Sequence, residues 1–384
     1  MNFDLSDEQK MVRDAVRDFA RDVVAPRAAE IDQTGEFPMD EFRQAGGLGF
    51  AGVAVPEEFG GAGMDTLSYA IVIEEVSKAC ANMGVILSVN NSLVCDPIAK
   101  FGSDEQKREF LAPLARGEKL GCFALTEPEA GSDAANQKTR AVRDGDVYRL
   151  TGEKIFITCG AAADVALVFA STDREKKHKG ISAFLVDTRA AGFDRSHHQV
   201  KLGVNASGTV EMFLNDVAVP AAHRLGQEGD GFKIAMATLD GGRIGIAAQA
   251  VGIAQSAFEA AVRYAGERKV FGRPIAEFQA LRFYIADMAT ELDAARLLTW
   301  RAAAAKDAAA ENGGRYTEEA AIAKLYAAEM AQRVTTKALQ IHGGYGYTKE
   351  FPVERNFRDA RITEIYEGTS EIQRVVIARE ILAR

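Results

Sequence analysis

Glu367 is the residue whose type and surroundings most clearly suggest chemistry. It precedes Gly368 and the hydroxylated pair Thr369-Ser370, and apolar residues recur at helical spacing from Ile372 onward. Thr369 can therefore cap a helix, which would place the Glu367 carboxylate on the turn just before it. Gly368 lets a ligand approach the backbone, and the free N–H groups of a helix start can meet ligand acceptors. The pattern suits a catalytic base, although a solvated carboxylate beside a helix cap fits the same residues.

A loop at residues 123–133 could hold the ring of a ligand. It contains Thr126, Gly131 and Ser132 beside other small residues, so that hydroxyl and backbone donors are grouped there. It also lies where a helical segment gives way to a β-rich one, and ligand sites favour such boundaries. A linker turn rich in Pro, Gly, Ser and Asp would have the same composition.

Two adjacent glycines, Gly241 and Gly242, interrupt an apolar helical stretch between Asp240 and Arg243. Inside a helix, two glycines cost about 2 kcal/mol relative to two alanines, and some contact should offset that cost. Close helix packing is the favoured explanation, and close approach of a ligand is the alternative. Asp240 and Arg243 either contact such a ligand or face water.

Three glycine-bearing turns complete the candidate sites. The basic turn at residues 267–274 suits a phosphate, but basic residues also favour a helix C-terminus. Gly343 has the place of a glycine that ends a helix, and a ligand role is not required there. The run at residues 47–52 fits the pattern G-x-G-x-x-G. Because it follows a helix-like stretch and Pro56 blocks the helix that should come next, it predicts a helix-to-loop turn and no dinucleotide site.

The composition is that of an ordinary globular protein. The chain has 384 residues, an apolar content of 47% and a net charge of −9. This charge argues against nucleic acid as a partner, and no apolar run reaches the length of a membrane helix. The four cysteines form no Cys-x-x-Cys pair and the histidines are scattered, so that neither a metal site nor a disulfide framework is expected. The acidic N-terminus lacks the regions of a signal peptide, and a cytoplasmic location is therefore expected.

Three segments must position these residues. Residues 1–118 read as helices, with capping boxes at Ser6 and Ser103 and a first helix that Pro26 ends. Residues 119–225 predict an antiparallel β-domain, a sandwich or barrel, whose strands do not alternate with helices. Residues 226–384 return to long amphipathic helices, about four in number, as in a helix bundle. The predicted strands cover residues 147–151, 154–158, 165–169, 181–186 and 210–214, and the C-terminal helices cover residues 232–264, 278–310, 317–341 and 369–382.

In this order, the motifs resemble those of acyl-CoA dehydrogenases along essentially the whole chain. The resemblance is closest to the short-chain, butyryl-CoA-type branch. It implies an N-terminal helical domain, a middle antiparallel β-barrel domain and a C-terminal four-helix bundle, assembled as a homotetramer. It also implies bound FAD and electron transfer to an electron-transfer flavoprotein. The motifs that carry the resemblance lie at residues 55–61, 124–133, 155–158, 202–220, 268–272, 340–344 and 361–369.

The resemblance also implies the roles of individual residues. Those that would line FAD are Phe123, Ala124, Leu125, Thr126, Gly131, Ser132, Phe156, Ile157, Thr158, Thr369 and Glu371. Those that would hold the FAD of a neighbouring subunit are Arg268, Phe271, Gln279, Gln340, Ile341, Gly343 and Gly344. Those that would contact the acyl-CoA are Ser132, Asp240, Gly241, Gly242, Arg243 and Gly368.

By the same resemblance, Glu367 is the catalytic base that removes the proton next to the thioester carbonyl, and the flavin accepts a hydride from the next carbon. The product is a trans-2-enoyl-CoA. Burial should raise the pKa of Glu367 towards neutral pH. Some branches of the family place the base at the position of Gly242, and the glycine there favours Glu367. Three departures stand out, because many relatives have tryptophan, asparagine and arginine at the positions of Phe156, Cys159 and Asn205.

Two alternatives share this resemblance. An acyl-CoA oxidase would use dioxygen as the acceptor, and oxygen consumption without an added acceptor would distinguish it, although oxidases of this fold are usually longer. A flavin-bearing protein that binds DNA would need a basic face on its C-terminal domain, and the net charge speaks against it. The length and branching of the acyl chain remain open, and butyryl and short branched groups fit equally.

Overall fold

The chain forms a helical part, a β-rich part and a second helical part, in the order expected from the sequence. The structure is a computed structural model that describes residues 4–383. Residues 1–3 and residue 384 lie outside the described residues. The first three belong to the acidic N-terminus that was expected not to be a signal peptide. The helices are α1 Asp7–Phe19, α2 Ala28–Thr34, α3 Met39–Gly47, α4 Thr66–Ala79, α5 Ala81–Ser88, α6 Asp96–Phe101, α7 Asp104–Gln106, α8 Ala112–Ala115, α9 Gly231–Glu267, α10 Gln279–Asn312, α11 Thr317–His342, α12 Val353–Arg361 and α13 Ser370–Leu382.

Two N-terminal helices begin at the predicted capping boxes. The Ser6 side chain accepts a hydrogen bond from the N–H of Gln9, while the Gln9 side chain accepts one from the N–H of Ser6. Ser103 and Gln106 make the same reciprocal pair before α7. Each box satisfies two N–H groups that the first helical turn would leave unpaired, and this local chemistry explains why the helix starts were predictable.

Pro26 does not end the first helix, and that prediction was wrong. A π-helical turn, Ala20–Val24, and a 3-10 turn, Ala25–Arg27, carry the chain from α1 into α2. Pro26 lies in the first turn of this new segment, where its missing N–H needs no acceptor. The helical run ends only at Gly35, which has a φ of 69°.

The most buried helical stretch of the N-terminal part, α5 and the π-helical Val89–Cys95, has no amphipathic pattern because it is enclosed on all sides. Its polar side chains bind the neighbouring loop at residues 50–53. Asn90 Nδ2 donates to the Ala51 carbonyl at 2.8 Å, and Asn91 Oδ1 accepts the Val53 N–H at 2.8 Å. The predicted helix-to-loop turn at residues 47–52 is confirmed, since α3 leads into it and no strand precedes it.

The middle part is an eight-stranded sheet with the strand order β6-β7-β3-β2-β4-β5-β8, and β1 pairs with β4. Most pairs are antiparallel, as expected, but β1 and β2 each pair with β4 in the parallel direction. The two strands predicted at residues 147–158 are one long strand, β3, whose register with β7 shifts between Leu150 and Gly152. The strands are β1 Gly121–Ala124, β2 Arg140–Asp144, β3 Val147–Ile157, β4 Val165–Ser171, β5 Ile181–Asp187, β6 Phe193–His198, β7 Val210–Pro220 and β8 Arg224–Leu225.

The sheet is open, so the expected β-barrel was wrong. Closure would require β6 to pair with β8, and within residues 4–383 the two strands make no such pair. β8 has only two residues before the chain turns towards α9, which leaves little backbone for a ladder. The two halves of the sheet are also joined weakly, since β2 and β4 share a single residue pair, Arg140 with Ser171.

Helix α9 is the central element of the C-terminal part and packs against α4, α10, α11 and α12. Its buried face is made largely of alanine and glycine, which lets neighbouring backbones approach closely. A Cβ on Gly252 would lie 2.2 Å from the Glu74 carbonyl oxygen of α4. The four long helices predicted here are α9, α10, α11 and α13, and each agrees with the prediction to within three residues. No helix among residues 4–383 is both long enough and apolar enough to cross a membrane.

A short fifth helix, α12, was not predicted because most of its residues are charged. It joins the three parts of the chain through Arg358, which donates to the two carboxylate oxygens of Asp32 at 2.6 and 3.2 Å. Asn205 Nδ2 donates to the same carboxylate at 3.0 Å. The next residue, Asp359, is fully buried and accepts the N–H of Val204 at 2.6 Å.

Asp359 makes stability depend on pH in a direction that can be tested. Burial raises its pKa to about 7, against an ordinary value of about 3.9 in an unfolded chain. The folded state therefore holds the proton more tightly, and this stabilisation is present below about pH 4 and is lost as the pH rises through about 7. In Asp359→Asn the amide oxygen still accepts the Val204 N–H, but nothing ionises.

We expect Asp359→Asn to become more stable relative to the parent protein between pH 5 and pH 8, by at most about 1.4 kcal/mol per pH unit. Denaturant unfolding at several pH values measures this difference. Asp144→Asn, at an exposed site beside the β2–β3 turn, is the matched control and should show no such trend. A stability difference that stays constant across this range would contradict the prediction.

Candidate active site

The predicted turn before α13 is present, and Glu367 lies on it. The Thr369 side chain accepts the Ile372 N–H and caps α13, as expected. Glu367 has a φ of 53° and Gly368 a φ of 91°, so both residues are in the left-handed region. For glutamate this conformation costs about 1–2 kcal/mol, and surrounding contacts must hold it.

Two side chains bind the carbonyl groups of this turn. Gln373 Nε2 donates to the carbonyls of Glu367 and Gly368 at 3.2 and 2.8 Å. Lys324, on α11, donates from Nζ to the Gly368 carbonyl at 2.7 Å. The N–H groups of Glu367 and Gly368, in contrast, bind no protein acceptor among the described residues. The turn is thus held by its carbonyls, while two N–H donors remain available beside the carboxylate.

The Glu367 carboxylate lies directly against the glycine pair of α9. A Cβ on Gly242 would be 2.1 Å from Glu367 Oε2 and 2.8 Å from Leu93 Cδ2. The sequence favoured helix packing as the reason for both glycines, but at Gly242 the closest neighbour is this carboxylate. A Cβ on Gly241 would have looser contacts, with Lys306 Nζ at 3.3 Å, the Tyr316 hydroxyl at 3.7 Å and Asp96 Oδ2 at 3.9 Å.

Burial raises the pKa of Glu367 to about 7, while the charges of Lys324 and Arg243 oppose this rise. Oε2 is buried and has no hydrogen-bond partner among the described residues. The raised pKa expected from the sequence is therefore found in the structure. A carboxylate with a pKa near neutral and a free oxygen is well suited to accept a proton from a weakly acidic group.

Asp240 and Arg243 bind each other one turn apart on α9. Arg243 NH1 lies 2.5 Å from Asp240 Oδ1, and the Thr317 hydroxyl donates to Asp240 Oδ2 at 2.7 Å. Burial raises the pKa of Asp240 and lowers that of Arg243. Arg243 Nε is buried and lacks an acceptor in the described part of the chain, so that one donor of this pair remains unused.

The two segments predicted to line a flavin are neighbours. The N–H of Ile155 donates to the Thr126 carbonyl at 2.9 Å, which joins the loop after β1 to the end of β3. Phe156 has a φ of 58°, and its side chain is 62% exposed beside this junction. Ile157 is buried and Thr158 is half-buried, while Gly131 and Ser132 are exposed. Phe123, Ala124 and Leu125 continue from β1 into the loop.

A buried ion pair, which sequence reasoning missed, lies beneath this loop. Lys154 is 0% exposed, and its Nζ binds Glu127 Oε1 at 2.8 Å and the Leu125 carbonyl at 3.0 Å. Burial opposes the charge on Glu127, but Lys154 and nearby N–H donors outweigh it and lower the pKa of the carboxyl group. The signal was available, because Lys154 is in phase with the inward-facing Tyr148 and Leu150 of β3.

The residues predicted to hold the FAD of a neighbouring subunit form a separate group. The Arg268 guanidinium lies 5.6 Å from the ring centre of Tyr345, which links the basic turn to the end of α11. Phe271 is 92% exposed, and Gln279, Gln340, Gly343 and Gly344 are also exposed, whereas Ile341 is buried. No hydrogen bond, ion pair or ring contact within residues 4–383 joins this group to the Thr126 loop. Gly343 ends α11 as predicted, with a φ of 58°.

Lys324 and Gln373 are the other residues of the site that sequence reasoning missed. Lys324 has alanines three and four residues away on both sides, at positions 320, 321, 327 and 328. A lysine in the middle of such an apolar stripe signals a buried ammonium group with a specific acceptor. Gln373 carries no comparable signal, because a glutamine in the first turn of a helix is common on surfaces.

Comparison with known proteins decides the family. Models of the N-terminal, middle and C-terminal domains of acyl-CoA dehydrogenases match residues 6–118, 122–217 and 229–382. The chain belongs to the acyl-CoA dehydrogenase family. Members of this family are flavoprotein oxidoreductases that act on acyl-CoA thioesters, and the recognition made from the sequence motifs is thereby confirmed.

One relative and two solved structures illustrate the similarity. The short-chain specific acyl-CoA dehydrogenase of Clostridium acetobutylicum is 52% identical over 99% of this chain and 100% of its own length. The butyryl-CoA dehydrogenase of Megasphaera elsdenii is 46% identical, and each chain is covered fully with a TM-score of 0.96. A structure described as the electron transferring flavoprotein of Acidaminococcus fermentans contains a chain that is 48% identical, again with full coverage of both chains and a TM-score of 0.97.

The contact between Gly242 and Glu367 can be tested with a single methyl group. Gly242→Ala places a Cβ 2.1 Å from Glu367 Oε2, which is too close for two nonbonded atoms, so the carboxylate must move. Because a displacement of about 1 Å can cost about 100-fold in rate, we expect a loss of that order in kcat/KM for acyl-CoA oxidation.

Gly266→Ala, on the same helix, is the matched control for Gly242→Ala, since a Cβ there meets nothing within 4 Å. Both substitutions favour the helix by about 1 kcal/mol, so thermal unfolding separates a helix effect from a site effect. Equal activity of the two variants would show that the carboxylate does not need the space at Gly242.

Proposed function

We propose that the protein oxidises a short-chain acyl-CoA to the trans-2-enoyl-CoA, with Glu367 as the base that removes the α-proton. The observation that carries this proposal is the buried Glu367 carboxylate, whose Oε2 has no partner among the described residues and whose pKa is raised to about 7. An α-proton of a thioester is a weak acid, so its removal needs a base of this kind and a donor that stabilises the thioester oxygen. The unpaired N–H groups of Glu367 and Gly368 are on the same turn and can supply that donor.

The residues near the Thr126 loop fit a flavin. Phe156 presents an uncovered aromatic face beside backbone groups, and a planar ring can stack on such a face. A Cβ on Gly131 would meet nothing within 4 Å, so the loop leaves space on that side. FAD bound there would supply the acceptor for a hydride from the β-carbon. The residues proposed to hold it are Phe123, Ala124, Leu125, Thr126, Gly131, Ser132, Phe156, Ile157, Thr158, Thr369 and Glu371.

A homotetramer is proposed because seven of the eighteen residues proposed to bind FAD lie away from the Thr126 loop. Arg268, Phe271, Gln279, Gln340, Gly343 and Gly344 are exposed, and none of them contacts the Thr126 loop through a hydrogen bond, ion pair or ring contact within residues 4–383. Exposed polar and aromatic residues of this kind can complete the FAD site of a neighbouring subunit. An electron-transfer flavoprotein is proposed as the electron acceptor, which the similarity to the Acidaminococcus fermentans structure supports.

A short acyl chain is proposed because the face of α9 beside Glu367 is soon closed. Three residues beyond Gly242, about 4.5 Å along the helix, a Cβ on Gly245 would lie 2.2 Å from the Tyr69 hydroxyl and 2.4 Å from Ser88 Oγ. Farther along, Gln249 accepts a hydrogen bond from the Tyr366 hydroxyl and fills the next turn. None of these side chains is charged, so the closed end suits an uncharged acyl group. Asp240, Gly241, Arg243, Gly368 and Ser132 are proposed to contact the rest of the acyl-CoA.

The catalytic base is tested by Glu367→Gln, which keeps the shape of the side chain but cannot accept the proton. We expect FAD and acyl-CoA to bind as before and turnover to fall by orders of magnitude. Spectral titration with acyl-CoA measures binding, and reduction of an artificial acceptor measures turnover. Glu364→Gln, which removes a nearby carboxylate paired with Arg361, is the control and should keep its activity. Near-normal turnover in Glu367→Gln would exclude Glu367 as the base.

The chain length is tested with a panel of straight and branched acyl-CoA thioesters and a ferrocenium-type acceptor. Because the uncharged hydroxyl pair of Tyr69 and Ser88 closes the space beside Glu367, we expect kcat/KM to be highest for four-carbon or short branched groups. It should fall steeply for an eight-carbon group. An eight-carbon substrate that reacts as efficiently as butyryl-CoA would refute the proposed short pocket.

A further inference from the structure

Lys324 is a buried cation next to the proposed base, and nothing in the function proposed above requires it. It lies in the middle of α11, and its side chain is 0% exposed. Removing an ammonium group from water costs several kcal/mol unless it is paired or hydrogen-bonded. A lysine retained at such a place therefore needs a compensating interaction.

The compensation comes from a carbonyl and not from a carboxylate. Lys324 Nζ donates to the Gly368 carbonyl at 2.7 Å, and Gln373 Nε2 donates to the same oxygen at 2.8 Å. Among the described residues, no carboxylate oxygen lies within the 4.0 Å ion-pair distance of Lys324 Nζ. Within the same residues, Glu367 Oε2 also has no hydrogen-bond partner. The two groups thus influence each other through space but are not joined by a salt bridge.

This separation matters for a base. A direct ion pair would hold the carboxylate in its charged form, but it would also occupy the oxygen that must accept the proton. A cation fixed on the adjacent carbonyl stabilises the charge and leaves the oxygen free. Arg243, the other cation near Glu367, is bound to Asp240, so that much of its charge is already balanced.

We propose that Lys324 is a positioning residue, which holds the Gly368 carbonyl and keeps an unpaired positive charge beside the Glu367 carboxylate so that the base is ionised near neutral pH. This inference rests on the proposed role of Glu367 as the base. One side chain would then have two roles. It stabilises the left-handed turn through its hydrogen bond, and its positive charge stabilises the ionised form of the Glu367 carboxylate.

The surrounding charges agree with this role. Burial is the main cause that raises the pKa of Glu367, and Lys324 is the largest of the charges that lower it. Burial likewise lowers the pKa of Lys324 to about 8, and the charge of Glu367 opposes that shift. The titratable and charged groups that act directly on this pair are Tyr69 of α4, Arg243 of α9, Glu364, Tyr366 and Glu371. Around them, Arg243 in turn faces Asp240, Tyr316 and Arg379, and Tyr69 faces Asp96 of α6.

The test compares two neutral replacements of Lys324 in the flavin-loaded protein. Lys324→Met has nearly the same length and removes both the charge and the hydrogen bond, while Lys324→Gln keeps a donor without a charge. With the cation absent, the Glu367 carboxylate should hold its proton more tightly. We therefore expect the acidic limb of the pH profile of kcat/KM for butyryl-CoA to shift to higher pH by about one unit in both variants. At a fixed pH on that limb, this shift corresponds to about tenfold lower activity.

Gln373→Leu is the matched control, because it removes the other donor to the same carbonyl without changing any charge. It should lower the unfolding temperature and leave the acidic limb where it is. The ionisation of the carboxyl group is also measured without turnover, from the pH dependence of its infrared C=O band. That band is assigned by its loss in Glu367→Gln, and its midpoint should rise in the two Lys324 variants.

The outcomes separate this inference from the function on which it rests. If Glu367→Gln is inactive but both Lys324 variants keep the parental limb and infrared midpoint, Lys324 is only structural and the inference fails. The inference also fails if Gln373→Leu moves the limb as far as Lys324→Met does, since the geometry of the turn would then explain the shift. Normal turnover in Glu367→Gln would instead remove the proposed function itself.

Discussion

The structure depends on one contact, in which the buried carboxylate of Glu367 packs against the backbone of α9 at Gly242. Glu367 Oε2 lies only 2.1 Å from the position where any other residue at 242 would place its Cβ. The contact requires α9, α11 and the turn before α13 to be held in fixed relation. The small residues of α9 allow this, since they let α4 and the turn approach its backbone. The contacts that these glycines permit thus offset the loss of helix stability that they cause in α9.

Several buried charges of the molecule are paired with an opposite charge, whereas Glu367, Asp359 and Lys324 are buried without an ion pair among the described residues. Lys154 is bound to Glu127, Arg243 to Asp240 and Arg358 to Asp32, so that each desolvated charge meets an opposite one. Such pairs contribute little net stability, because desolvation offsets most of the attraction, but breaking one of them is costly. Glu367 has no such partner among the described residues, and burial raises its pKa. Unlike Asp359, whose carboxylate accepts the Val204 N–H, Glu367 keeps a buried oxygen without a donor, and a buried carboxylate with a raised pKa is a candidate for a functional group.

Local chemistry made part of this architecture predictable. The caps at Ser6, Ser103 and Thr369 and the helix stop at Gly343 depend on residues a few positions apart, and all four are present. The long C-terminal helices were predictable because apolar residues recur along their entire length. Whether the sheet closes depends on whether β6 and β8 meet, and these strands are separated by the whole of β7. No short-range sequence pattern shows whether these two strands pair, so the expected barrel had no firm physical basis.

The site was predictable to the same limited degree. The motifs around Glu367 and Thr126 are contiguous and could be recognised, whereas Lys324 reaches Gly368 across 44 residues of sequence. Single buried lysines such as Lys154 and Lys324 can be recognised from the sequence only by checking whether each lysine lies on the apolar face of its strand or helix. Their acceptors are backbone carbonyls in part, and a sequence does not show which carbonyl a side chain will meet.

Two of the three departures noted in the sequence, Cys159 and Asn205, can be related to the backbone and the charges around them. Cys159 has a φ of 65°, in the left-handed region where asparagine is among the more tolerant residues, which accounts for the asparagine that is frequent at this position. The cysteine is enclosed, and its N–H donates to the Ser207 carbonyl at 2.8 Å, so that packing and this bond hold a conformation its side chain does not favour. At position 205 an arginine would face Asp32, but Arg358 already binds both oxygens of that carboxylate. The neutral Asn205 adds a third hydrogen bond without a second buried cation, and the junction of the three parts of the chain is retained.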